Sequence, residues 1–350
     1  MPRAGVLTAA ASSPPEVMLS WAAPASGTGF SYEVYRNGSP CASTTSTQYK
    51  DVSVYPAASY SYQVFTYDGA GALLTSSKIV SVTVPAPATG NAPPPQASGY
   101  TLVYANDFSN LDIGQNWTGQ FHDWYTSEYG ATKTVSPART SVANSVLSLD
   151  WLGGDGANDS AVASFDIGGH TGRAFRYGYF EARMSWSPVA GAWPAFWLLS
   201  LNAATSNGKW GELDAFEGQG LQRGMFFGTV HDWTAANGAR TQTYNQQNYF
   251  SLGAANDYTQ WHKYGVLWQP GSITWYYDDN PVITAPEPLI MQSQDVELIL
   301  DMAEDVNWIQ GNTTGVTAAD LRLNVDSVRV WQHDPSVAPI AANGIAFRGN

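Results

Sequence analysis

Three carboxylates crowd into one short stretch of this chain, Trp210-Gly211-Glu212-Leu213-Asp214-Ala215-Phe216-Glu217-Gly218, in a region otherwise sparing with charge. Written as a strand, the segment sends Glu212 and Asp214 to one face and Leu213 to the other, because side chains alternate with period two. Strict alternation would turn Glu217 toward the core, where an unpaired carboxylate is costly. A one-residue bulge between Asp214 and Glu217 restores the parity. All three acids then share a face, while Leu213 and one of Ala215 or Phe216 fill the core. Four effective strand steps of about 3.3 Å separate the two glutamate backbones by roughly 13 Å. Side chains leaning toward each other along the strand bring the carboxyl groups to roughly 5–6 Å. That spacing suits a retaining glycosidase, with its carboxyls about 5–5.5 Å apart, better than an inverting one, which needs room for a water. Asp214 between them raises a neighbour's pKa by like-charge repulsion and can share a proton with the nucleophile. One acid kept protonated near neutral pH beside one kept ionised is what such a reaction requires. A calcium site and a solvated acidic edge stay open as alternatives, since carboxylates are hard oxygen ligands. Trp210 and Phe216 beside the acids suit a sugar cleft better than a calcium loop.

The rest of the chain must hold such a strand in place. Its 350 residues suffice for a sizeable core, and 44% hydrophobic with 14 Trp, 19 Tyr and 13 Phe is too apolar and aromatic for disorder. Sixteen basic against 29 acidic residues give a net charge of -13, which repels a phosphate backbone and anionic lipid. Nucleic acid and membrane are therefore not expected partners, and no apolar run reaches the roughly 18 residues of a membrane span. A single cysteine, Cys41, allows no internal disulfide and reads as a small packed side chain. Few Lys and Arg with abundant Ser, Thr, Tyr and Trp fit an exported bacterial protein, secreted or extracellular. Met1 to Ser12 shows no signal-peptide hydrophobic region.

Short alternating runs recur throughout, and the chain reads as all-β. Val17–Trp21, Ser31–Arg36 before the turn Asn37-Gly38, Tyr60–Tyr67 before Asp68-Gly69, and Ile79–Val84 predict a small sandwich over residues 14–85. Pro-rich residues 86–97 predict a stiff linker. Residues 98–334 carry strands predicted at Val146–Leu149, Gly178–Trp186, Ala195–Leu199, Glu212–Glu217, Met225–His231, His262–Trp268, Ser272–Tyr277, Val296–Met302 and Leu321–Trp331. So many short strands in one domain predict two large sheets packed face to face. Residues 335–350 read as a loose tail.

The first block resembles a fibronectin type III domain, with Trp21 at the place of that family's buried strand-B tryptophan and Tyr60 at that of its corner tyrosine. Glu212-Leu213-Asp214-Ala215-Phe216-Glu217 resembles the active-site strand of glycoside hydrolase family 16 in its bulged, laminarinase-like form. Tyr177–Met184, Gly191–Leu199, Gly228–His231, Tyr264–Trp268 with Ile273–Asp278, and Leu323–Trp331 resemble the family's other strands, in order, over roughly residues 100 to 333. The resemblance implies a concanavalin-like jelly-roll β-sandwich and retention by double displacement. Glu212 is then the nucleophile, Asp214 its electrostatic assistant and Glu217 the acid/base. No catalytic cofactor is implied, and a structural Ca2+ at Asp107 and Asp326 is a further expectation from relatives.

Fourteen tryptophans exceed what a core of this size needs, and an indole suits the apolar face of a pyranose. Trp193, Trp197, Trp210, His231 and Trp233 are expected to line the substrate cleft, Trp233 as a platform where its strand leaves the sheet. Asn307 and Trp308 resemble the cleft-edge pair of laminarinases, preceded here by Glu304-Asp305, which disfavours a sulfated glycan. His122 to Tyr125 form a possible cap at one cleft end. The expectation is a monomeric endo-acting hydrolase of β-1,3 or mixed β-1,3/1,4-glucan, with a polysaccharide as its partner. Alternatives are a hydrolase of galactan or of an acidic exopolysaccharide met by Arg139, Arg173 or Arg176, a transglycosylase, or a glycan-binding protein without turnover.

Overall fold

The computed structural model describes residues 6–12, 16–51, 54, 59–85, 93–111, 117, 139–151, 160–166, 171–187, 189–204, 208–220, 222, 224–236, 239–251, 258–304 and 321–333. The chain divides into two compact units whose main segments are Met1–Ala92 and Pro93–Pro339. Among the described residues no helix is long and apolar enough to cross a membrane.

The first unit holds β1 (Thr8–Ser12), β2 (Glu16–Ser20), β3 (Ser31–Arg36), β4 (Ser39–Thr44), β5 (Gln48–Asp51), β6 (Ser59–Tyr67), β7 (Leu73–Ser76) and β8 (Val80–Thr83). One sheet runs β1-β2-β5, and the other runs β4-β3-β6 with β7 and β8 both on β6. Alternate residues Val17, Leu19, Tyr32, Val34, Tyr62 and Val64 are buried between them with Trp21, whose ring meets Tyr32 edge-on at 5.4 Å. Tyr60 is only half-buried, its ring beneath the Arg36 guanidinium. Asp51 is fully buried and takes two bonds from Arg36, at 3.0 and 3.1 Å, and one of 2.6 Å from the Tyr62 hydroxyl. A buried carboxylate needs that many donors. Cys41 is buried as well, and burial pushes its thiol up to about 12.

The second unit continues with β9 (Thr101–Asn106), β10 (Thr140–Ala143), β11 (Val146–Asp150), β12 (Ser160–Ala163), β13 (Phe165–Asp166), β14 (Thr171–Gly172), β15 (Gly178–Trp186) and β16 (Ala192–Ser200). It then runs through β17 (Gly208–Glu217), β18 (Met225–Ala236), β19 (Ala239–Ser251), β20 (His262–Gln269), β21 (Ser272–Tyr277), β22 (Asn280–Pro286), β23 (Val296–Glu304) and β24 (Arg322–Gln332). An eight-stranded sheet has the order β10-β11-β24-β15-β20-β21-β22, with β9 also on β24. A six-stranded sheet has the order β12-β23-β16-β17-β18-β19. The two make a jelly-roll sandwich whose interior is aromatic. Phe216 of β17 lies 4.7 Å from Trp186 and 4.3 Å from Tyr264, ring to ring, and Phe226 lies 5.4 Å from Tyr264.

Pairing of β17 with both neighbours slips at one place. Against β16, Glu217 faces Ala195, Phe216 faces Phe196 and Asp214 faces Trp197, so Ala215 is the extra residue. Against β18 the same shift falls between Asp214 and Glu217. Leu213, Ala215 and Phe216 are all fully buried. A bulge leaves backbone groups without ladder partners. Here Trp275, reaching across from β21 of the opposite sheet, donates its indole N–H to the Asp214 carbonyl at 2.8 Å. Gly228 on β18 makes room, since a Cβ there would stand 2.3 Å from Trp275 Nε1.

Gly228→Ala should therefore cost about 1–3 kcal/mol through overpacking. In a Trp275→Phe background the same change should cost clearly less, because the indole nitrogen it strikes is gone. Urea denaturation of the four proteins measures the coupling, and strictly additive losses would refute this account of the bulge.

Candidate active site

The outer face of the six-stranded sheet carries the acids. Alternation along β16 places Ala195, Trp197 and Leu199 on that face, and β17 adds Trp210. With Ala161, Ala163, Ala203 and Ile299 they pack into one apolar floor, edged by Trp233. Five residues of unbulged β16, from Ala195 to Leu199, pair with the six from Glu217 to Glu212. The bulge thus brings both glutamates and Asp214 to one face.

Both glutamate carboxyls are held by donors from their neighbours. Glu212 Oε2 accepts from Trp233 Nε1 at 3.1 Å, and its Oε1 lies 3.7 Å from His231 Nε2. His231 Nε2 lies closer to Asp214 Oδ2, at 3.2 Å. Glu217 accepts from Trp193 Nε1 at 3.2 Å and from the buried Thr229 hydroxyl at 3.0 Å. His231 and Trp233 stack 5.6 Å apart and 19° from parallel, so one ring fixes the other.

Burial dominates the electrostatics. It pushes Glu212 up to about 8, with His231 pulling it back and Asp214 pushing it further. Glu217 is also pushed up to about 8 by burial, but there the next influence is the repulsive Asp214. Burial, and then Asp301, hold Asp214 well above the usual carboxylate range, while a hydrogen bond with Glu217 works the other way. The two glutamates therefore differ in kind: the larger charged neighbour of one is an imidazole, and of the other a carboxylate. Both reach about the same level, so it is their neighbours and not that level that distinguishes them.

Asp301 is a residue that the sequence pattern did not single out. It lies on β23 opposite Ala195, which is itself opposite Glu217, so the three form one cross-strand row. Its carboxylate is buried and accepts from Trp197 Nε1 at 2.8 Å. Its position on the active face shows only once β23 is known to pair with β16. Thr229 and Trp275 were likewise legible as strand residues but not as donors to the site.

The expected cleft residues fall into different places. Trp193, His231 and Trp233 are half-buried beside the carboxyls. Trp197 is almost covered, its indole nitrogen engaged by Asp301. Trp210 is fully buried in the floor, so it supports the cleft and cannot stack on a sugar, which corrects its assignment as a substrate contact. The correction to Trp233 is of place: β18 runs on to Ala236, and Trp233 sits within the sheet opposite Trp210. Asn307, Trp308 and the stretch from His122 to Tyr125 lie outside the described residues. Arg173 is buried over the Tyr104 ring and Arg176 pairs with Asp295 at 2.7 Å, so both serve the scaffold.

Asp326 is paired with Arg183, and Asp107 with Arg329. Two carboxylates each facing a guanidinium do not fit a calcium ion, which needs six to eight oxygen ligands free of competing cations. Glu212, Asp214 and His231 offer three ligand atoms within 4.8 Å of one another. Two of them already accept or approach N–H donors, and the imidazole is a poor partner for a hard cation.

The raised carboxyl pKa values carry a stability consequence. A folded-state pKa above the unfolded value gives stability that is complete below the unfolded pKa and lost as pH rises through the folded one. For Glu217 that window runs from 4.5 to about 8. Glu217→Gln should therefore gain thermal stability relative to the parent between pH 5 and pH 8, with little difference near pH 4. Melting curves across that range check it, and a deficit that is constant with pH would contradict the burial argument.

Residues 138–295 match the model of Glycosyl hydrolases family 16. Endo-1,3-1,4-beta-glycanase EglC of Rhizobium meliloti (strain 1021) is 28% identical over 258 residues, 67% of this chain. Endo-1,3-1,4-beta-glycanase ExsH of the same organism is 30% identical over 258 residues, 66% of this chain. The chain spans about half the length of both, 52% in each case. The X-ray structure of the laminarinase from Rhodothermus marinus superposes with a TM-score of 0.53 at 23% identity, covering 67% of this chain and 97% of that one, a likeness of fold. The family match lies inside the second unit and takes in all three carboxylates, so that unit is similar to Glycosyl hydrolases family 16.

Proposed function

We propose that the protein is a retaining, endo-acting glycoside hydrolase that cleaves β-1,3- or mixed β-1,3/1,4-glucan by double displacement. The observation that carries this reading is the bulged strand, which sets Glu212, Asp214 and Glu217 on one buried face with different neighbours. Glu212, drawn toward its ionised form by His231 and Trp233, is the nucleophile. Its carboxylate oxygen attacks the anomeric carbon while the Glu217 carboxyl gives its proton to the departing glycosidic oxygen, and the C–O bond breaks. Water then enters. Glu217, now a carboxylate, takes a proton from it as the water oxygen attacks the same carbon, and Glu212 leaves as a carboxylate. Asp214 stays protonated near Glu217 and His231, so that the negative charge of the cluster remains on one residue at a time. No step calls on a metal. The endo action and the linkages are supported by the endo-1,3-1,4-beta-glycanases to which the chain is similar.

Around this centre, Trp193 and Trp233 are placed to meet sugar hydroxyls and ring faces while holding the carboxyls, and Trp197 presents only an edge. We assign residues 14–85 to a fibronectin type III-like accessory domain, 86–97 to a linker, 98–334 to the catalytic domain and 335–350 to a tail. The accessory assignment is supported by the β1-β2-β5 sheet facing β4-β3-β6 around buried Trp21. The protein acts outside the cell, as a monomer, on a polysaccharide.

Glu212→Ser should abolish turnover of laminarin and lichenan without unfolding the domain. Glu217→Gln should lower it about 10²–10⁴-fold, the usual worth of a general acid/base. The deficit should shrink in the glycosylation step of an aryl glucoside whose leaving group needs no proton. Proton NMR of the first product must show the β anomer, and an initial α anomer would overturn the nucleophile assignment.

A further inference from the structure

Away from the carboxylates, the eight-stranded sheet ends in a pocket of about 340 Å³, within the range of small-ligand sites. It is formed where β15 begins and where β20 and β24 end, and it shares no residue with the cleft. Tyr100, Tyr177 and Trp268 supply aromatic surface. The Tyr177 ring is packed 4.9 Å from that of Trp268, whose indole N–H is taken up by Glu287 at 2.7 Å. What Trp268 offers to the pocket is therefore apolar. On the other wall, the Tyr100 hydroxyl is oriented by Gln269 Nε2 at 2.7 Å.

Two features distinguish this pocket from an accidental gap between strand ends. Tyr177 has φ +60°, a left-handed conformation that a bulky residue seldom adopts and that the surrounding structure must impose. Gln332 is 2% exposed and donates its amide to the carbonyls of Arg176 and Tyr177 at 3.1 Å each, while among the described residues its Oε1 accepts no hydrogen bond. A buried acceptor left unfilled is costly, and a hydroxyl donor is the group that would fill it. The cation in the lining, Arg176, already faces Asp295. Aromatic faces, an unfilled acceptor and compensated charge together select a neutral polyhydroxylated ligand over an anion.

We propose that this pocket is a second glycan-binding site, which takes a neutral glycosyl unit of the polymer being cleaved and tethers the catalytic unit to it. The proposal rests on the glucan reading of the cleft. Its action is on residence at the polymer, not on bond cleavage.

The test uses the full chain with Tyr177→Asn, which removes the ring but suits the left-handed backbone, and separately Tyr100→Ala on the opposite wall. Both should keep the parent melting temperature within a few degrees and hydrolyse short soluble laminari-oligosaccharides at the parent rate. Retention on insoluble β-1,3-glucan, measured in the Glu212→Ser background, should fall about tenfold in each, about 1.4 kcal/mol. Parent-like retention in both variants overturns the proposal, as does an equal loss of oligosaccharide hydrolysis, which would make the pocket part of the scaffold. If the parent fails to cleave laminarin or lichenan at all, the glucan reading of the cleft has failed. If it cleaves them and only retention is unmoved, the pocket proposal alone has failed.

Discussion

One hydrogen bond decides whether this strand can carry its chemistry. The bulge at Ala215 puts Glu217 on the same face as Glu212 and Asp214, but it interrupts the ladder and leaves the Asp214 carbonyl to be satisfied by other means. Trp275 supplies the donor from the opposite sheet, and Gly228 supplies the space for it. The sandwich interior is thus tied to the active face by an indole that lies where a methyl group at residue 228 would collide with it. Core and site are not separable here, since the same residue that fills the interior fixes the backbone beneath the central acid.

The second constraint is the cost of sinking several carboxyls together. Asp214, Glu217 and Asp301 are all buried, and Glu212 is nearly so. Such a cluster is tolerated because three of the acids find donors, Trp233 for Glu212, Trp193 and Thr229 for Glu217, Trp197 for Asp301, while His231 Nε2 stands 3.2 Å from Asp214. Three of those donors are indole N–H groups, which can give a hydrogen bond but never take a proton. Tryptophan is well suited to this site on two grounds, as apolar surface and as a donor that does not titrate. Part of the aromatic excess in the composition is explained by that double use.

Much of this was legible in the sequence, and the reasons are physical. The side-chain parity from Glu212 to Glu217 points to the bulge, because three acids and a buried Leu213 admit few other arrangements. Strands with a strong apolar period, such as Gly178–Trp186 and Ser272–Tyr277, were found at their observed limits. The edge strand Ala239–Ser251 was not, since its polar run of Gln, Asn and Thr has no alternation to read. Residues whose role depends on which strand lies beside which were beyond reach: Asp301, Thr229 and the buried position of Trp210 follow from sheet order. The calcium expectation failed for a related reason. Sequence places Asp107 and Asp326 but not the arginines that reach them from strands distant in the chain.

The buried Cys41 has a consequence for how this two-unit protein can be studied. It is the single cysteine of the chain, it lies in the core of the first unit, and its thiol stays protonated at any ordinary pH. A thiol reagent can reach it only when that unit opens. The rate of labelling therefore reports the opening of the first unit alone, while the tryptophan-rich second unit dominates the fluorescence of the whole. Two signals from one unmodified chain can separate the stability of the two units without cutting them apart.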